Sequence, residues 1–353
     1  MSKQKAKVTI HEVARSAGVS VATVSRVFNS SDLVAKQTGE KIRSVARRLN
    51  YIPNASARSL SMKRTETIGM LLPDMHGEFF SEIIRGADAI AHKERYHLLL
   101  SASHSNKEEL ETAIRMMSGR VDGFILMSPH LDSETLVTRY LRSIPAVILS
   151  SSEARGTHDS IRIDNVGGAQ QVMRHLISLG HRRIAIVKGD PGNEDGHERL
   201  EGYLAELRAN SIDMKEEIIV CGDFTERSGY AAGRTLLDLK NRPTAVFASN
   251  DEMAIGVLRC FREAGIEVPR EIAVAGFDDI QISSLIHPSL TSVHVDISDL
   301  GSLAAERLIE ILADGTKRKT IKSIVLPSRL VIRDSAPLTT HASTAISEAT
   351  SLQ

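Results

Sequence analysis

The chain has 353 residues, 44 basic and 44 acidic side chains, 42% hydrophobic residues and two cysteines, a length too great for one small core and suited to a globular protein of several parts. No apolar run reaches membrane-spanning length, and residues 1–7 are basic and polar with no apolar stretch behind them, which argues against a membrane protein and against an exported one. Cys221 and Cys260 lie in apolar surroundings and read as reduced thiols of a cytoplasmic protein.

Charge is unevenly spread. Residues 1–64 hold 13 Lys and Arg against 3 Asp and Glu, a net +10, so residues 65–353 carry −10. The basic excess lies on a patterned segment rather than a tail, which favours a phosphate-facing module. Within it, Thr9 with Glu12 three residues later is a capping-box signature, and Ile10, Val13 and Ala14 make one apolar helix face. Gly18 suits a left-handed helix end and Ser20 caps a second helix. Val24, Val27 and Phe28 can pack inward there, leaving Val21, Ala22, Ser25, Arg26 and Asn29 on the other face. This is a helix–turn–helix shaped for a major groove: Arg forks onto guanine, Asn pairs with adenine, and small apolar groups touch thymine methyls.

A third helix is predicted over 38–49, with Ile42, Val45, Ala46 and Leu49 at helical spacing and Asn50 ending it. Pro53-Asn54-Ala55-Ser56-Ala57-Arg58-Ser59-Leu60 then reads either as a plain linker or as a short helix restarting at the proline. The run from Thr9 through Leu60, followed by Ile68-Gly69-Met70-Leu71-Leu72-Pro73, resembles the lactose-repressor/galactose-repressor (LacI/GalR) family of bacterial transcription regulators. The resemblance implies a headpiece with a hinge helix that forms on operator DNA, where Leu60 wedges into the minor groove beside Asn54 and Ala57. It implies base specificity at Val21 and Ala22, guanine reading by Arg26, and phosphate or neighbouring-base contacts from Thr9, Ser20, Thr23, Ser25, Asn29 and Tyr51. Gly39 departs from the family pattern, which has a larger residue early in helix three.

Beyond residue 65, strand-like runs at 67–72, 97–101, 123–127, 146–149, 184–187, 218–221, 245–248 and 272–275 alternate with helical patterns at 82–92, 107–117, 167–179 and 253–264. Such alternation predicts doubly wound parallel sheets, whose ligands sit outside the carboxyl ends of the strands. The stretches just past those ends are rich in Asp, Asn, Arg and Phe, a set suited to a polyhydroxylated or planar polar ligand. An equally good reading makes Asn250 and Asp251 helix caps and Phe79 and Phe224 core. The family resemblance implies effector contacts at Arg199, Asn250 and Asp278 and pocket positions at Phe79, Phe80, Asn193, Asp195 and Phe224. The Arg-Asn-Asp set looks like the sugar-binding members, although Leu149-Ser150-Ser151 stands where several of them carry aspartate.

Together these readings predict an α/β protein: an all-α helix–turn–helix headpiece (1–52), a hinge helix or linker (53–64), and a body (65–335) of two doubly wound parallel-sheet lobes like those of periplasmic binding proteins. The first lobe is expected to hold about 65–163 and 292–335, the second about 164–291, with the chain returning to the first lobe near 291–295, a helix over 300–312, a last strand over 321–332, and a disordered tail (336–353). The expected function is a cytoplasmic, homodimeric, allosteric transcription regulator of repressor type. Its partners are double-stranded operator DNA and a sugar-like effector, and no metal, cofactor or membrane is involved. The resemblance leaves both signs of the effector response open. The competing classes are a sugar-processing enzyme and a solute-binding protein. Against the enzyme stand the missing nucleophile elbow, dinucleotide fingerprint and HExxH, and against the solute-binding protein the missing export segment. The 13 histidines are scattered, and His175 and His181 read as surface or capping residues.

Overall fold

In the computed structural model, which describes residues 8–29, 34–52, 64–127, 141, 144–150, 158–213, 218–314 and 320–338, the first helix starts where the capping pattern places it. The Glu12 carboxylate accepts from Thr9 N (2.7 Å) and Thr9 Oγ1 (3.0 Å), and these bonds, the backbone one foremost, hold its pKa below the ordinary value. Helix α1 (Ile10–Ala17) ends at Gly18, whose φ of 68° is the left-handed conformation glycine adopts most cheaply. Ser20 Oγ accepts from Thr23 N and opens α2 (Val21–Asn29). A third helix, α3 (Lys36–Arg48), is closed by Asn50 at φ 52°. Val13, Ala14, Ala17, Val24, Val27, Ile42, Val45 and Ala46 form the core of this headpiece. The headpiece belongs to a compact unit separate from the body. The hinge residues Asn54, Ala57 and Leu60 and the side chain of Asn29 lie outside the described residues.

The body is two six-stranded sheets wound the same way. The first is built from β1 (Thr67–Leu72), β2 (His97–Ala102), β3 (Gly123–Met127), β4 (Ala146–Leu149) and β5 (Asp159–Ile163), in the order β5-β4-β3-β1-β2. The second uses β6 (Ile184–Lys188), β7 (Ile218–Cys221), β8 (Ala245–Ala248), β9 (Ala273–Asp278) and β10 (Thr291–His294), in the order β10-β9-β8-β6-β7. Strands β3, β4 and β8 are buried along their whole length, as parallel strands covered on both faces must be. The covering helices of the first lobe are α4 (Gly77–Lys93) and α5 (Lys107–Met117). Those of the second are α6 (Asn165–Ser178), α7 (Glu194–Ala209), α8 (Glu226–Leu237) and α9 (Asp251–Glu263).

Two expectations about chain crossing and one about where the body ends need correction. β10 pairs in parallel with β9, so the segment at 291–295 still belongs to the second lobe. The chain returns only with α10 (Ile297–Asp314), which packs on α4 and on β3, β4 and β5. The single strand expected over 321–332 is two: β11 (Ser323–Leu326) adds to β5 in the first sheet, and β12 (Arg329–Val331) runs antiparallel to β10 in the second. The break at 327–328 lets one apolar stretch serve both lobes. The body also extends past 335. Ala336 is fully buried, its carbonyl oxygen accepts from His175 Nε2 at 2.7 Å, and Ser335 Oγ donates to Val274 O at 2.6 Å. His175 is therefore a buried anchor, not a surface residue.

Gly39 is buried within α3, yet a methyl group there would meet only the mobile end of Arg43 at 3.5 Å. Gly39→Ala should therefore stabilise the headpiece by about 0.5–1 kcal/mol, the helix-propensity difference. Hydrogen exchange of the α3 amides in the full-length protein checks this, and unchanged or faster exchange would refute it.

Candidate functional site

On the headpiece, Thr9, Ser20, Ala22 and Arg26 are exposed, while Val21, Thr23, Ser25 and Tyr51 are half-buried. Tyr51 packs its ring at 5.9 Å from that of Phe28, and burial raises its pKa, so it supports the core as well as any outer contact. Arg15, Lys36, Lys41, Arg43, Arg47 and Arg48 are exposed around the same small unit. The result is a positively charged helical module with the Arg26 fork free of the core, suited to phosphates on its flanks and base edges at α2.

In the second lobe the strand order reverses between β6 and β8, the place where doubly wound sheets leave a crevice. Arg199, from the second turn of α7, fills that crevice and is 3% exposed. Its Nε donates to Asn165 Oδ1 at 2.9 Å, Nη1 donates to the Ser249 carbonyl oxygen, and Nη2 pairs with Asp278 Oδ1 at 3.2 Å. The guanidinium also lies 3.8 Å from the centroid of the buried Phe277 ring. Asn165 passes the network on, donating Nδ2 to Asp195 Oδ1 (2.8 Å) and Glu198 Oε2 (2.9 Å). Burial raises the Asp195 pKa, opposed by Arg199, Asn165 and the hydroxyl of Ser150. Ser150, placed after β4 in the first lobe, thus faces an aspartate supplied by the other lobe.

Asp278 titrates far from its ordinary range. Burial pushes its carboxyl up to about 7, Arg199 pulls it down, and the Asp195 and Glu252 carboxylates add repulsion. Neighbouring Asp251, fully buried, is pushed up to about 8 by burial and by Asp278, although Ser283 Oγ, Ser292 Oγ and Ile280 N all donate to it. Backbone φ values of 101° at Asp278 and 53° at Asp279 place both residues in the sparsely populated left-handed half of the map, a feature that clusters at binding sites.

Of the eight effector positions expected from the sequence, the structure pairs Arg199 directly with Asp278 and links it to Asp195 through Asn165. Asn193 and Asn250 are helix caps: their Oδ1 atoms accept from Gly196 N and Met253 N, both at 3.0 Å. Asn250 Nδ2 also donates to the Phe224 carbonyl oxygen, and the Phe224 ring sits so close to Gly189 that any Cβ there would collide with it. Phe79 and Phe80 open α4 in the first lobe with rings edge to face, 5.4 Å apart. Beside them Glu78 accepts from Gln281 N of the second lobe. Asn165, Glu198 and Phe277 were not named as site residues. Glu198 stands in α7 beside Arg199 and Phe277 in β9 beside Asp278, whereas Asn165 follows β5, whose Asp-Ser-Ile-Arg-Ile lacks a continuous apolar run.

A two-lobed ligand-binding body preceded by a basic helix–turn–helix defines an effector-responsive DNA-binding regulator, and comparison with known proteins agrees. Residues 9–54 match the family described as bacterial regulatory proteins, lacI family, and residues 173–336 match the periplasmic binding protein-like domain. The chain is 36% identical over 330 residues to catabolite control protein A of Priestia megaterium, covering 93% of this chain and 99% of that one. It is 37% identical to the HTH-type transcriptional repressor PurR of Proteus mirabilis (strain HI4320), covering 93% and 96%. To the ribose operon repressor of Escherichia coli (strain K12) it is 35% identical, covering 87% and 94%. Among solved structures, the Lac repressor dimer bound to operator and the anti-inducer ONPF superposes with a TM-score of 0.84 at 30% identity, covering 94% and 100%. The complex of the transcriptional regulator CelR with cellobiose superposes with a TM-score of 0.70 at 31% identity, covering 93% and 100%. The chain belongs to the lacI family of bacterial regulatory proteins. It is a DNA-binding transcription regulator with a ligand-binding body, and among its described residues no helix is long and apolar enough to cross a membrane.

The raised pKa of Asp278 carries a sign. A carboxyl whose folded pKa exceeds its unfolded value gives stability that is complete below the unfolded pKa and lost as pH rises through the folded one. The body should therefore lose stability between the ordinary Asp pKa of about 4 and the raised value near 7. Asp278→Asn should flatten that part of the profile, leaving the contribution of Asp251. Thermal melting across this pH range tests it, and an Asp278→Asn profile parallel to wild type would refute the assignment.

Proposed function

We propose that this regulator is a non-catalytic, homodimeric repressor. It reads a near-palindromic operator through α2 and is controlled by a sugar-like effector held between the lobes by Arg199, Asp195 and Asp278, with Phe79, Phe80 and Phe224 as apolar walls. The network around Arg199 carries the effector half. A buried guanidinium flanked by two carboxylates offers the fixed donors and acceptors that vicinal hydroxyls need, and Phe277 already occupies its stacking face. Cellobiose in the CelR complex supports the same ligand class. Asn193, Asn250 and Phe224 serve in this reading both as structural members of the pocket wall and as ligand contacts. The homodimer is supported by β2, the edge strand of the first sheet, which exposes Leu99 and Leu100, with Met116 exposed on α5.

On DNA, Val21, Ala22, Ser25 and Arg26 are assigned to base edges and Thr9, Ser20, Thr23 and Tyr51 to the backbone. Asn29 and the hinge residues Asn54, Ala57 and Leu60 complete the footprint that the family likeness implies. The deciding experiment is a pulldown of genomic fragments in the presence and absence of a panel of pentoses, hexoses and disaccharides. A small set of fragments, retained at moderate salt and altered by one sugar, is the expected result. Uniform retention that ignores every sugar and disappears with modest salt would refute it. In the same assay Arg26→Ala should cost about 1–3 kcal/mol and relax one base position per half-site. A loss equal across all sequences would make Arg26 a phosphate anchor.

A further inference from the structure

The chain passes between the lobes three times: from β5 into α6, from β10 into α10, and from β11 into β12. Two of those passages meet at the main chain of one residue. Asp164 follows β5, and its N–H donates to Leu326 O at 3.0 Å while its carbonyl oxygen accepts from Ser328 Oγ at 3.0 Å. The first and third passages are thereby stitched together. Its side chain caps α6 by accepting from Gly167 N, which fixes the next residue, Asn165, at the first helical position. Asn165 is 1% exposed, and its amide uses both ends on the effector side, accepting from Arg199 Nε and donating to Asp195 and Glu198.

We infer that Asn165 is the positioning residue through which the state of Arg199 reaches the two stitched passages and so the angle between the lobes. This rests on the effector role assigned to Arg199 above. An Asn held by three hydrogen bonds cannot follow a shift of Arg199 without moving the start of α6, because the cap at Asp164 leaves no slack between them. Asp164 in turn cannot move without carrying Leu326 and Ser328. The third passage is further pinned to α6, since Gln171 Nε2 donates to Ser328 O and Gln171 Oε1 accepts from Leu330 N, each at 3.0 Å. Asn165 makes no claim on the ligand itself; it acts through Arg199.

The test is a double-mutant cycle on operator affinity, which needs no effector. Wild-type full-length protein first selects its preferred duplex from a random DNA pool, and fluorescence anisotropy then gives Kd per active molecule for Asn165→Ala, Arg199→Gln and the pair. Each single change should shift Kd in the same direction by at least about fivefold, the lower edge of ordinary allosteric coupling, and the pair should shift it no further than Arg199→Gln alone. A smaller shift for Asn165→Ala, or two shifts that simply add, would overturn the inference. A merely structural role lowers the melting temperature and the active fraction without moving Kd per active molecule. If Arg199→Gln does not fold, the cycle of Asn165→Ala with Ser328→Ala decides by the same criterion, non-additive for and additive against. If wild type selects no preferred duplex, the regulator reading fails and this inference with it; a preferred duplex with unmoved variants removes only the inference.

Discussion

The body is organised around one buried guanidinium. Removing a charge of this size from water costs several kcal/mol even after the protein relaxes, so each of its donors must be matched. Arg199 meets that demand with an amide, a main-chain carbonyl, a carboxylate and an aromatic face drawn from α6, the end of β8 and the end of β9. Matching one cation therefore fixes the relative placement of those elements. The carboxylates gathered to do so are themselves strained by burial, and Asp278 and Asp195 share a single nearby cation. Truncating either partner of such a buried pair leaves an uncompensated charge at a cost of about 3–5 kcal/mol. A ligand that supplies hydroxyls to the same groups acts on a network already under electrostatic tension.

That arrangement explains how a binding event can be felt far from the ligand. The two sheets have the same winding, and their core is continuous: Ile163, Val295 and Leu326, all at or beside the chain passages, are buried in one cluster with residues of both lobes. Close-packed interiors do not deform smoothly, so a change at the crevice favours a discrete shift of one lobe against the other. The headpiece is built differently. Its core is small, its surface is strongly basic, and its stability comes from caps and a few Val, Ala and Ile contacts. A small module of that kind suits a reader of DNA whose orientation is set by something larger.

Much of this was legible from residue order. Capping box, left-handed glycine and apolar residues at helical spacing located α1, α2 and α3 closely, because those signals act within a few residues of themselves. Continuous apolar runs located the central strands for the same reason. Edge elements were harder. β5 presents Asp and Arg among its five residues because Arg307 of α10 pairs with Asp159 and Arg162 pairs with Glu198, partners that are distant in the chain. The division of 321–332 into two strands was invisible because its apolar pattern runs on while the pairing partner changes sheet. Asn250 reads from the sequence as either a cap or a ligand contact and Asn193 only as a pocket position, and capping is a role both visibly perform.

Sequence alone determined the basic headpiece, the helix–turn–helix, the α/β alternation and the family likeness, since all of these are set by local pattern and residue type. It also placed Arg199, Asp195 and Asp278 among the candidates. Folding decided which of the candidates touch, that Asn165 stands between the arginine and the lobe crossings, and that the chain returns to the first lobe only after β10. Those facts depend on contacts between residues far apart in the chain, such as Asn165 with Arg199, 34 positions away, and Asp164 with Ser328, 164 positions away. Contacts at that range leave no periodic trace in a single chain, and burial around a shared charge is what brings them together.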